Sequence, residues 1–188
     1  DNNANGAGAV GLDIDNDATF DYILANLDTT GTFGHVRYTV IAPYGTAGNA
    51  IAGETPSAYD YALALNMNDM IDNTLNWIAA TNTMAYNVDN ANPYSENWNG
   101  VTDKYLGLQF NTGGSTYYGW ARLDVLADGD VYTLKDYAYE STAGVGINAG
   151  VVGLEEGSLD QLVHFINQDN NTVLVNVNGN LTDGVVTV

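Results

Sequence analysis

The feature that most constrains this chain is a pair of strand-like runs joined by a short polar turn. Residues 104–110 (KYLGLQF) and 117–126 (YYGWARLDVL) are rich in aromatic and aliphatic residues, and the stretch NTGGST lies between them. Two such runs around a glycine-containing turn predict an antiparallel β-hairpin. A third strand-like run at 131–139 follows an Asp-Gly turn, which predicts that the hairpin continues into a third strand.

Alternation within the first run predicts which side chains are buried. Leu106, Leu108 and Phe110 share one face of the predicted strand, because successive side chains of a strand point to opposite faces. We therefore expect these three side chains to face a hydrophobic core. Trp120, in the partner strand, is also expected to be a core residue.

Short runs of strand character occur along the whole chain. The 21 glycines, the 13 tyrosines and the excess of Asp (18) over Glu (5) are typical of strands connected by frequent turns. We therefore predict an all-β fold, specifically an antiparallel β-sandwich of jelly-roll-like type. The further predicted strands are 10–14, 20–24, 35–41, 162–166, 172–177 and 184–188.

Two segments have mixed patterns. Residues 57–79 fit either a helix or two strands, and several Asn and Asp residues interrupt the helical pattern. Strands are favoured there, with a short helix at 70–77 as the alternative. Residues 86–103 are polar and are predicted to form a long loop.

Small residues mark a boundary late in the chain. Residues 144–157 are rich in Gly, Ala and Val and are interpreted as a linker. We therefore predict a β-sandwich domain at 1–150, followed by a linker and a small additional β segment at 151–188. Two or three strands are only marginally stable alone, so residues 158–188 suggest strand pairing with a second copy, giving a homo-oligomer or filament.

The formal net charge of −19 excludes several classes of function. Arg37, Lys104, Arg122 and Lys135 are the only basic residues. Four scattered cations cannot neutralise a nucleic-acid backbone or bind an anionic lipid surface. The chain has no cysteine, which excludes disulfides and thiol chemistry. No apolar run is long enough to span a membrane, so membrane insertion is not expected.

The large negative charge of the chain also indicates where the protein is located. Such a chain suits a saline or calcium-containing exterior, because counter-ions screen its self-repulsion. The sequence opens at Asp1 with a polar, glycine-rich stretch, which we interpret as the start left after removal of a signal peptide. We therefore expect an extracellular or cell-surface protein.

The sharpest local motif is an acidic loop, DIDNDATFD, at 13–21. Asp13, Asp15, Asp17 and Asp21 occupy its positions 1, 3, 5 and 9. On a tightly turning loop such carboxylates converge on one point. Calcium takes about six to eight hard oxygen ligands, which carboxylates, a backbone carbonyl and water can supply. We predict that these four residues bind calcium, and a solvated Asp-rich turn without an ion is the alternative.

This spacing resembles the DxDxDGxxD loops of calcium-binding repeats. Ala18 stands where those loops have a glycine, and the loop lacks the bidentate Glu at position 12 of an EF-hand. The loop therefore departs from those repeats at the residue where they make their sharp turn. That resemblance implies a calcium site built from the acidic loop.

Other polar clusters carry weaker signals. The segment Asp128-Gly129-Asp130 is predicted to be a hairpin turn. For the polar stretch 86–103, a plain loop is the favoured interpretation and a second ion site is the alternative. The residues that would form it are Asp89, Asn90, Asn92, Glu96 and Asp103.

The sequence contains no motif typical of catalysis. His35 and His164 lie in strand-like runs and are interpreted as sheet residues rather than zinc ligands. No serine lies in a nucleophile-elbow motif, and no local motif pairs two carboxylates for glycoside hydrolysis. We therefore expect no enzymatic activity, and a glycan-active enzyme with a carboxylate pair assembled by the fold is the least favoured alternative. Trp98 lies in the polar loop and is the candidate for an exposed sugar-stacking ring, so a carbohydrate-binding module with a glycan partner is the alternative function.

Two stretches together resemble a family of secreted bacterial β-sandwich proteins that is common in Bacteroidota. The stretch LDIDNDATFDYIL at 12–24 is similar to the acidic opening of that family. The stretch at 104–150, which contains YYGWARL and KDYAYEST, is similar to its YGW hairpin and the signature that follows. The resemblance implies a secreted location and a β-sandwich fold.

The tail carries a second resemblance. The stretch VGLEEGSLDQLVHFINQ, which begins at Val152, resembles the first half of a type IX secretion C-terminal sorting domain. Asp28-Thr29-Thr30 also matches a short Asp-Thr-x motif used for O-glycosylation in Bacteroidota, with an ordinary turn as the alternative. Together these patterns predict a secreted or cell-surface structural or adhesive β-sandwich that is stabilised by calcium.

Overall fold

The chain divides into two compact units, and strands are the regular elements of the residues that the structure describes. The computed structural model describes residues 8–32, 34–54, 60–89, 91 and 97–152, together with strands at 163–168 and 172–177. The two units are Asp1–Val152 and Gly153–Val188. The described residues form strands and turns without a helix, which confirms the predicted all-β class. The described part of the chain accordingly has no helix that could cross a membrane.

The first unit is an open antiparallel β-sandwich of two main sheets, as predicted. Sheet A has the strand order β1-β2-β3-β7, with β1 (Gly8–Leu12), β2 (Tyr22–Gly31), β3 (Gly34–Pro43) and β7 (Asn82–Val88). Sheet B has the order β10-β9-β8-β4-β6, with β4 (Ala50–Ala52), β6 (Trp77–Ile78), β8 (Val101–Thr112), β9 (Ser115–Val125) and β10 (Tyr132–Tyr139). A small third sheet pairs β5 (Met70–Ile71) with β11 (Ile147–Asn148).

The predicted β8–β9 hairpin is confirmed, and two glycines form its turn. Thr112 pairs with Ser115, which leaves only Gly113 and Gly114 between the strands. Their φ angles are 58° and 81°. A two-residue turn with both residues at positive φ matches the twist of the flanking strands and favours glycine at both positions. The polar turn therefore sets the register of the longest strand pair in the molecule.

The central part of sheet B, in β8 and β9, is buried on both faces. Leu106, Leu108 and Phe110 lie in the main core between the sheets, as their alternation predicts. On the opposite face of sheet B, Tyr105 and Trp120 belong to a second hydrophobic cluster, with ring centroids 5.4 Å apart and an edge-to-face geometry. The other buried members of this second cluster are Leu65, Ile71, Tyr118, Ile147 and Ala149.

The predicted polar loop is shorter than expected at both ends. β7 extends to Val88 and β8 begins at Val101, so strand residues replace both ends of the predicted loop 86–103. β7 pairs with β3, and the rings of Tyr38 and Tyr86 stack across that pair with centroids 6.2 Å apart. Pairing with a neighbouring strand therefore outweighs the turn preference of the local sequence.

The alternative of a helix at 70–77 is wrong. Residues 70–71 and 77–78 form short strands, and a turn lies between them. The Asp72 carboxylate accepts hydrogen bonds from the backbone N–H and the hydroxyl of Thr74, at 2.8 and 2.6 Å. Such a local side-chain bond stabilises a turn in competition with a helix.

The second unit contains one described antiparallel strand pair. β12 (Val163–Gln168) pairs with β13 (Thr172–Val177), with Val163 opposite Val177. The backbone of His164 lies in β12, as the strand prediction for this histidine requires. The strand predicted at 184–188 lies outside the described residues.

Candidate metal site in the acidic loop

The acidic loop connects β1 to β2 at one end of sheet A, and backbone bonds close its base. The N–H of Asp21 donates to the carbonyl of Leu12 at 2.8 Å, and the carbonyl of Asp21 accepts from the N–H of Tyr44 at 2.7 Å. These bonds tie both ends of the loop together and attach it to the segment that follows β3. Backbone hydrogen bonds therefore fix the base of the loop to the rest of the first unit.

Carboxylates inside the loop accept its backbone N–H groups. The N–H of Asp17 lies 3.1 Å from Oδ1 of Asp13 and 3.2 Å from Oδ1 of Asp15. The N–H of Ala18 donates to Oδ2 of Asp13 at 2.8 Å. Short Asp side chains favour such turns because they bond the backbone a few residues ahead. The alternating Asp pattern therefore folds the loop back on itself.

Three of the four predicted ligands come together. Ligand oxygens of Asp13, Asp15 and Asp21 all lie within 4.8 Å of one another. Asp17 is not in this group, and its Oδ1 accepts a hydrogen bond from the N–H of Thr19 at 2.7 Å. The structure thus gives Asp17 a turn-forming contact in place of the ligand position that its spacing predicts.

Asp21 is the buried member of the group, with 6% of its surface exposed. Its Oδ2 accepts from the N–H of Ile14 at 2.9 Å, and its Oδ1 accepts from Nδ2 of Asn49 at 3.3 Å. Burial raises the pKa of Asp21, and the nearby charges of Asp15 and Asp17 raise it further, against the lowering effect of its two hydrogen bonds. This carboxylate therefore lies where a positive charge would stabilise its ionised form.

Asn49 is a site residue that the sequence pattern does not reveal. It is buried, and its Oδ1 accepts from the backbone N–H of Asn111 in β8 at 2.9 Å. Through Asn49 the carboxylate of Asp21, beside sheet A, is connected to sheet B. The two residues are 28 positions apart, and no local spacing links them.

The backbone of the loop is strained at Ala18. Its φ angle is 71°, in the left-handed region, where L-residues with a Cβ atom are disfavoured. This is the position at which calcium-binding repeats have glycine. Asn16, with φ 62°, takes the same conformation at lower cost, because Asn tolerates the left-handed region. The loop therefore makes the predicted sharp turn without the usual glycine.

Two exposed aromatic side chains lie at the loop, one within it and one in the segment bonded to it. Phe20 is 50% exposed and Tyr44 is 56% exposed. A Cβ atom built on Gly11 would lie 2.5 Å from the Phe20 ring, so this ring covers a position where only glycine fits. A Cβ atom on Gly45 would lie 2.5 Å from the carbonyl oxygen of Phe20, which places the segment after Tyr44 against the loop.

The prediction that Trp98 is exposed is wrong. Trp98 is fully buried in the main core, and its indole N–H donates to the carbonyl of Ala62 at 3.1 Å. A satisfied indole in the core is not available to stack on a sugar. Trp120 is buried as predicted, although it lies in the second cluster, and its indole N–H donates to the carbonyl of Val151 at 3.0 Å.

The weaker acidic candidates do not assemble into an ion site among the described residues. Asp89 accepts a hydrogen bond from the N–H of His35 at 2.9 Å. Asp103 pairs with Lys135 at 2.7 Å and with Arg122 at 3.1 Å, and the hydrogen bond from Lys135 is the main reason why its pKa is lowered. The remaining candidates, Asn90, Asn92 and Glu96, lie outside the described residues.

The other sequence candidates lie in strands or turns. The ring of His35, in β3, contacts the carboxylate of Asp28 across the β2–β3 hairpin. Gly129, at the centre of the predicted hairpin turn between β9 and β10, has a φ angle of 75°.

Comparison with known protein families, curated proteins and solved structures finds no match for this chain. The function is therefore argued from the residues of the site.

Proposed function

We propose that this chain is a calcium-stabilised β-sandwich that acts as a structural or adhesive component outside the cell. The observation that carries the proposal is the convergence of Asp13, Asp15 and Asp21, with Asp21 buried, where β1 turns into β2. Three carboxylates provide the hard, charged oxygens that calcium prefers, and water and carbonyl groups can complete the shell. Without a cation, the clustered negative charges repel one another.

The chain's own cations do not balance this charge. All four basic residues have partners outside the acidic loop: Arg37 with Asp128, Lys104 with Asn66, Arg122 with Asp136, and Lys135 with Asp103. A cation from solution is therefore the expected counter-charge for the loop. Such a cation would also strengthen the link from Asp21 through Asn49 to β8, and so would connect the two sheets.

The expected affinity fits the proposed location. Calcium sites in extracellular modules have dissociation constants of about 0.1 to 1 mM. At 10 mM calcium, a site of this kind would stabilise the folded chain by about 1.4 to 2.7 kcal/mol, because the ion binds the folded state only. For a unit of this size that corresponds to a rise in melting temperature of about 3 to 10 °C.

Thermal unfolding with and without calcium tests this proposal. We expect calcium to raise the melting temperature of the wild type and chelator to reverse the rise. Asp15→Asn should abolish most of the response, whereas Asp60→Asn, at an exposed position outside the site, should keep it. Equal melting temperatures in calcium and chelator would exclude the calcium site.

Self-assembly is the second part of the proposed structural role. The described strands of the second unit form only a two-stranded sheet, and such a sheet is marginally stable unless it pairs or packs further. We expect strand pairing between copies, favoured by calcium, which screens the net charge of −19. Light scattering in millimolar calcium tests this, with deletion of 158–188 as the control. A wild type that stays monomeric at all calcium and salt concentrations would contradict it.

Carbohydrate binding is the second candidate function, and one observation favours it. Phe20, within the acidic loop, and Tyr44, whose backbone N–H bonds the carbonyl of Asp21, have half-exposed rings. Aromatic rings pack against the apolar faces of sugars, and an open calcium site can coordinate sugar hydroxyls. A glycan array probed with wild type and with Tyr44→Ala would show calcium-dependent signals that the variant loses. No signal in calcium would leave the structural role as the single proposal.

A further inference from the structure

The turn between β9 and β10 docks on the opposite sheet. Residues 126–131 form a tight turn, in which the N–H of Leu126 donates to the carbonyl of Val131 at 2.9 Å. The N–H of Gly129 donates to the carbonyl of Leu126, also at 2.9 Å. The turn belongs to sheet B, but its polar groups contact side chains of sheet A. We call residues 126–131 the β9–β10 latch.

Three inward-facing side chains of sheet A hold the β9–β10 latch. Thr39 donates from its hydroxyl to the carbonyl of Gly129 at 2.9 Å, and Asn26 donates from Nδ2 to the carbonyl of Asp130. Arg37 donates to Oδ2 of Asp128 at 3.0 Å. Asn26, Arg37 and Thr39 are buried and lie on the same strand faces as the core residues of β2 and β3. The core is therefore polar where the latch enters it.

The latch brings two carboxyl groups to one buried cation. The side chains of Asp128 and Asp130 lie close enough for a hydrogen bond once one of the two is protonated, and Arg37 pairs with Asp128 at 3.0 Å. Asp130 is only 5% exposed. The side chain of Asp128 is 41% exposed, so the cost falls on Asp130: with both carboxyl groups ionised, Asp130 would carry an unbalanced negative charge in a buried position. One proton on the pair makes the cluster neutral.

Unpartnered oxygens give a second, independent reason for that proton. Oδ1 of Asp130 and Oδ1 of Asn26 are buried and have no hydrogen-bond partner among the described residues. A buried carboxylate oxygen without a donor is much less stable than the carbonyl oxygen of a neutral carboxyl group. A protonated Asp130 can also donate to Asp128, which two carboxylates cannot do.

We propose that Asp128 and Asp130 share one proton in the folded protein, and that this proton holds the β9–β10 latch against sheet A, so that the contact between the sheets weakens as the pH rises. The charged groups that face Asp130 are Asp128, from the latch, and Arg37, from β3. Asn26, on β2, bonds the carbonyl of Asp130, and Asn87, on β7, accepts a hydrogen bond from Arg37; neither side chain carries a charge.

The electrostatic balance agrees with this geometry. Burial raises the pKa of Asp130, and the hydrogen bond and charge of Asp128 raise it further, while Arg37 lowers it by a smaller amount. A carboxyl group whose pKa is raised on folding stabilises the protein fully below its unfolded pKa. That stabilisation is lost as the pH rises through the folded pKa. The contact between the β9–β10 latch and sheet A is therefore expected to be most stable in mildly acidic solution.

The substitution Asp130→Asn tests the proposal, because an amide keeps the shape of the carboxyl group and donates to Asp128 at every pH. We expect the ratio of the unfolding equilibrium constants, wild type over Asp130→Asn, to rise with pH above about 4. The rise should be at most about tenfold per pH unit, because one proton is involved. Urea denaturation at a series of pH values, with chelator present throughout, gives this ratio.

Asp60→Asn, at an exposed position, is the matched control for the loss of one carboxyl group and should not reproduce the rise expected for Asp130→Asn. Infrared spectroscopy provides a measurement that does not depend on folding stability. Above about pH 4 the wild type should show a stronger protonated-carboxyl band than Asp130→Asn at the same pH. A ratio that stays constant or falls with pH, or bands of equal strength in the two proteins, would overturn the proposal.

Discussion

The substitution Ala18→Gly should stabilise the protein, although glycine usually destabilises. The φ angle of Ala18 is 71°, and an L-residue with a Cβ atom pays about 1 to 2 kcal/mol for the left-handed conformation. Glycine removes this strain, but it makes the unfolded chain more flexible at a cost of about 0.4 to 1 kcal/mol. The net expectation is a gain of up to about 1.6 kcal/mol, with a central value of about 0.8 kcal/mol. In the folded loop, the bond from the Ala18 N–H to Asp13 is a backbone bond that glycine keeps.

The measurement is urea denaturation in chelator, which separates the backbone effect from ion binding. Ala143→Gly is a matched control, because Ala143 is exposed and its φ angle is not in the left-handed region. The control should lose about 0.4 to 1 kcal/mol, so the same chemical change should have opposite signs at the two positions. If Ala18→Gly loses as much stability as Ala143→Gly, the claim that a left-handed backbone conformation strains Ala18 is refuted.

Two further predictions concern the core and the buried ligand. Phe110→Ala should cost about 3 to 5 kcal/mol in urea denaturation, because Phe110 is fully buried between the sheets, and a variant as stable as wild type would contradict its core position. Asp21→Asn, with calcium removed, should lose less stability than wild type as the pH rises above about 4. The raised pKa of Asp21 means that the wild type loses stability as the pH rises through the folded pKa, and the amide does not titrate. Parallel pH profiles of the two proteins would contradict this second expectation.

The sequence correctly predicted the features that depend on neighbouring residues, namely the β8–β9 hairpin and the buried face of β8. The β8–β9 hairpin follows from two alternating runs around Gly113 and Gly114, and both glycines take the positive φ that the turn requires. The burial of Leu106, Leu108 and Phe110 follows from period-two alternation. What alternation could not show is that the other face of β8 is buried as well. That second cluster depends on segments distant in sequence.

The acidic loop was predicted in position and only partly in its geometry. Spacing indicated convergence of carboxylates, and the structure brings Asp13, Asp15 and Asp21 together. Asp17 has the same spacing, but its carboxylate bonds the nearby N–H of Thr19. Such competition between a local turn and a ligand position is decided by the path of the backbone, which the residue spacing does not specify.

Polar residues were the hardest to place from the sequence. Trp98 lies among polar residues that predict a loop, yet a single bond to the carbonyl of Ala62 satisfies its indole and the ring fills the core. Asn49 and Asp130 likewise have side-chain or backbone partners in distant strands. Burial of a polar side chain depends on such long-range partners, which a single sequence does not show.

Isothermal titration with calcium tests the central claim most directly. The structure predicts one ion per chain at the acidic loop for wild type and for Asp17→Asn, because Asp17 lies outside the group of three carboxylates. It predicts no such binding for Asp15→Asn, whose residue lies inside the group. The same binding by wild type and Asp15→Asn, or no binding by wild type at millimolar calcium, would contradict the account.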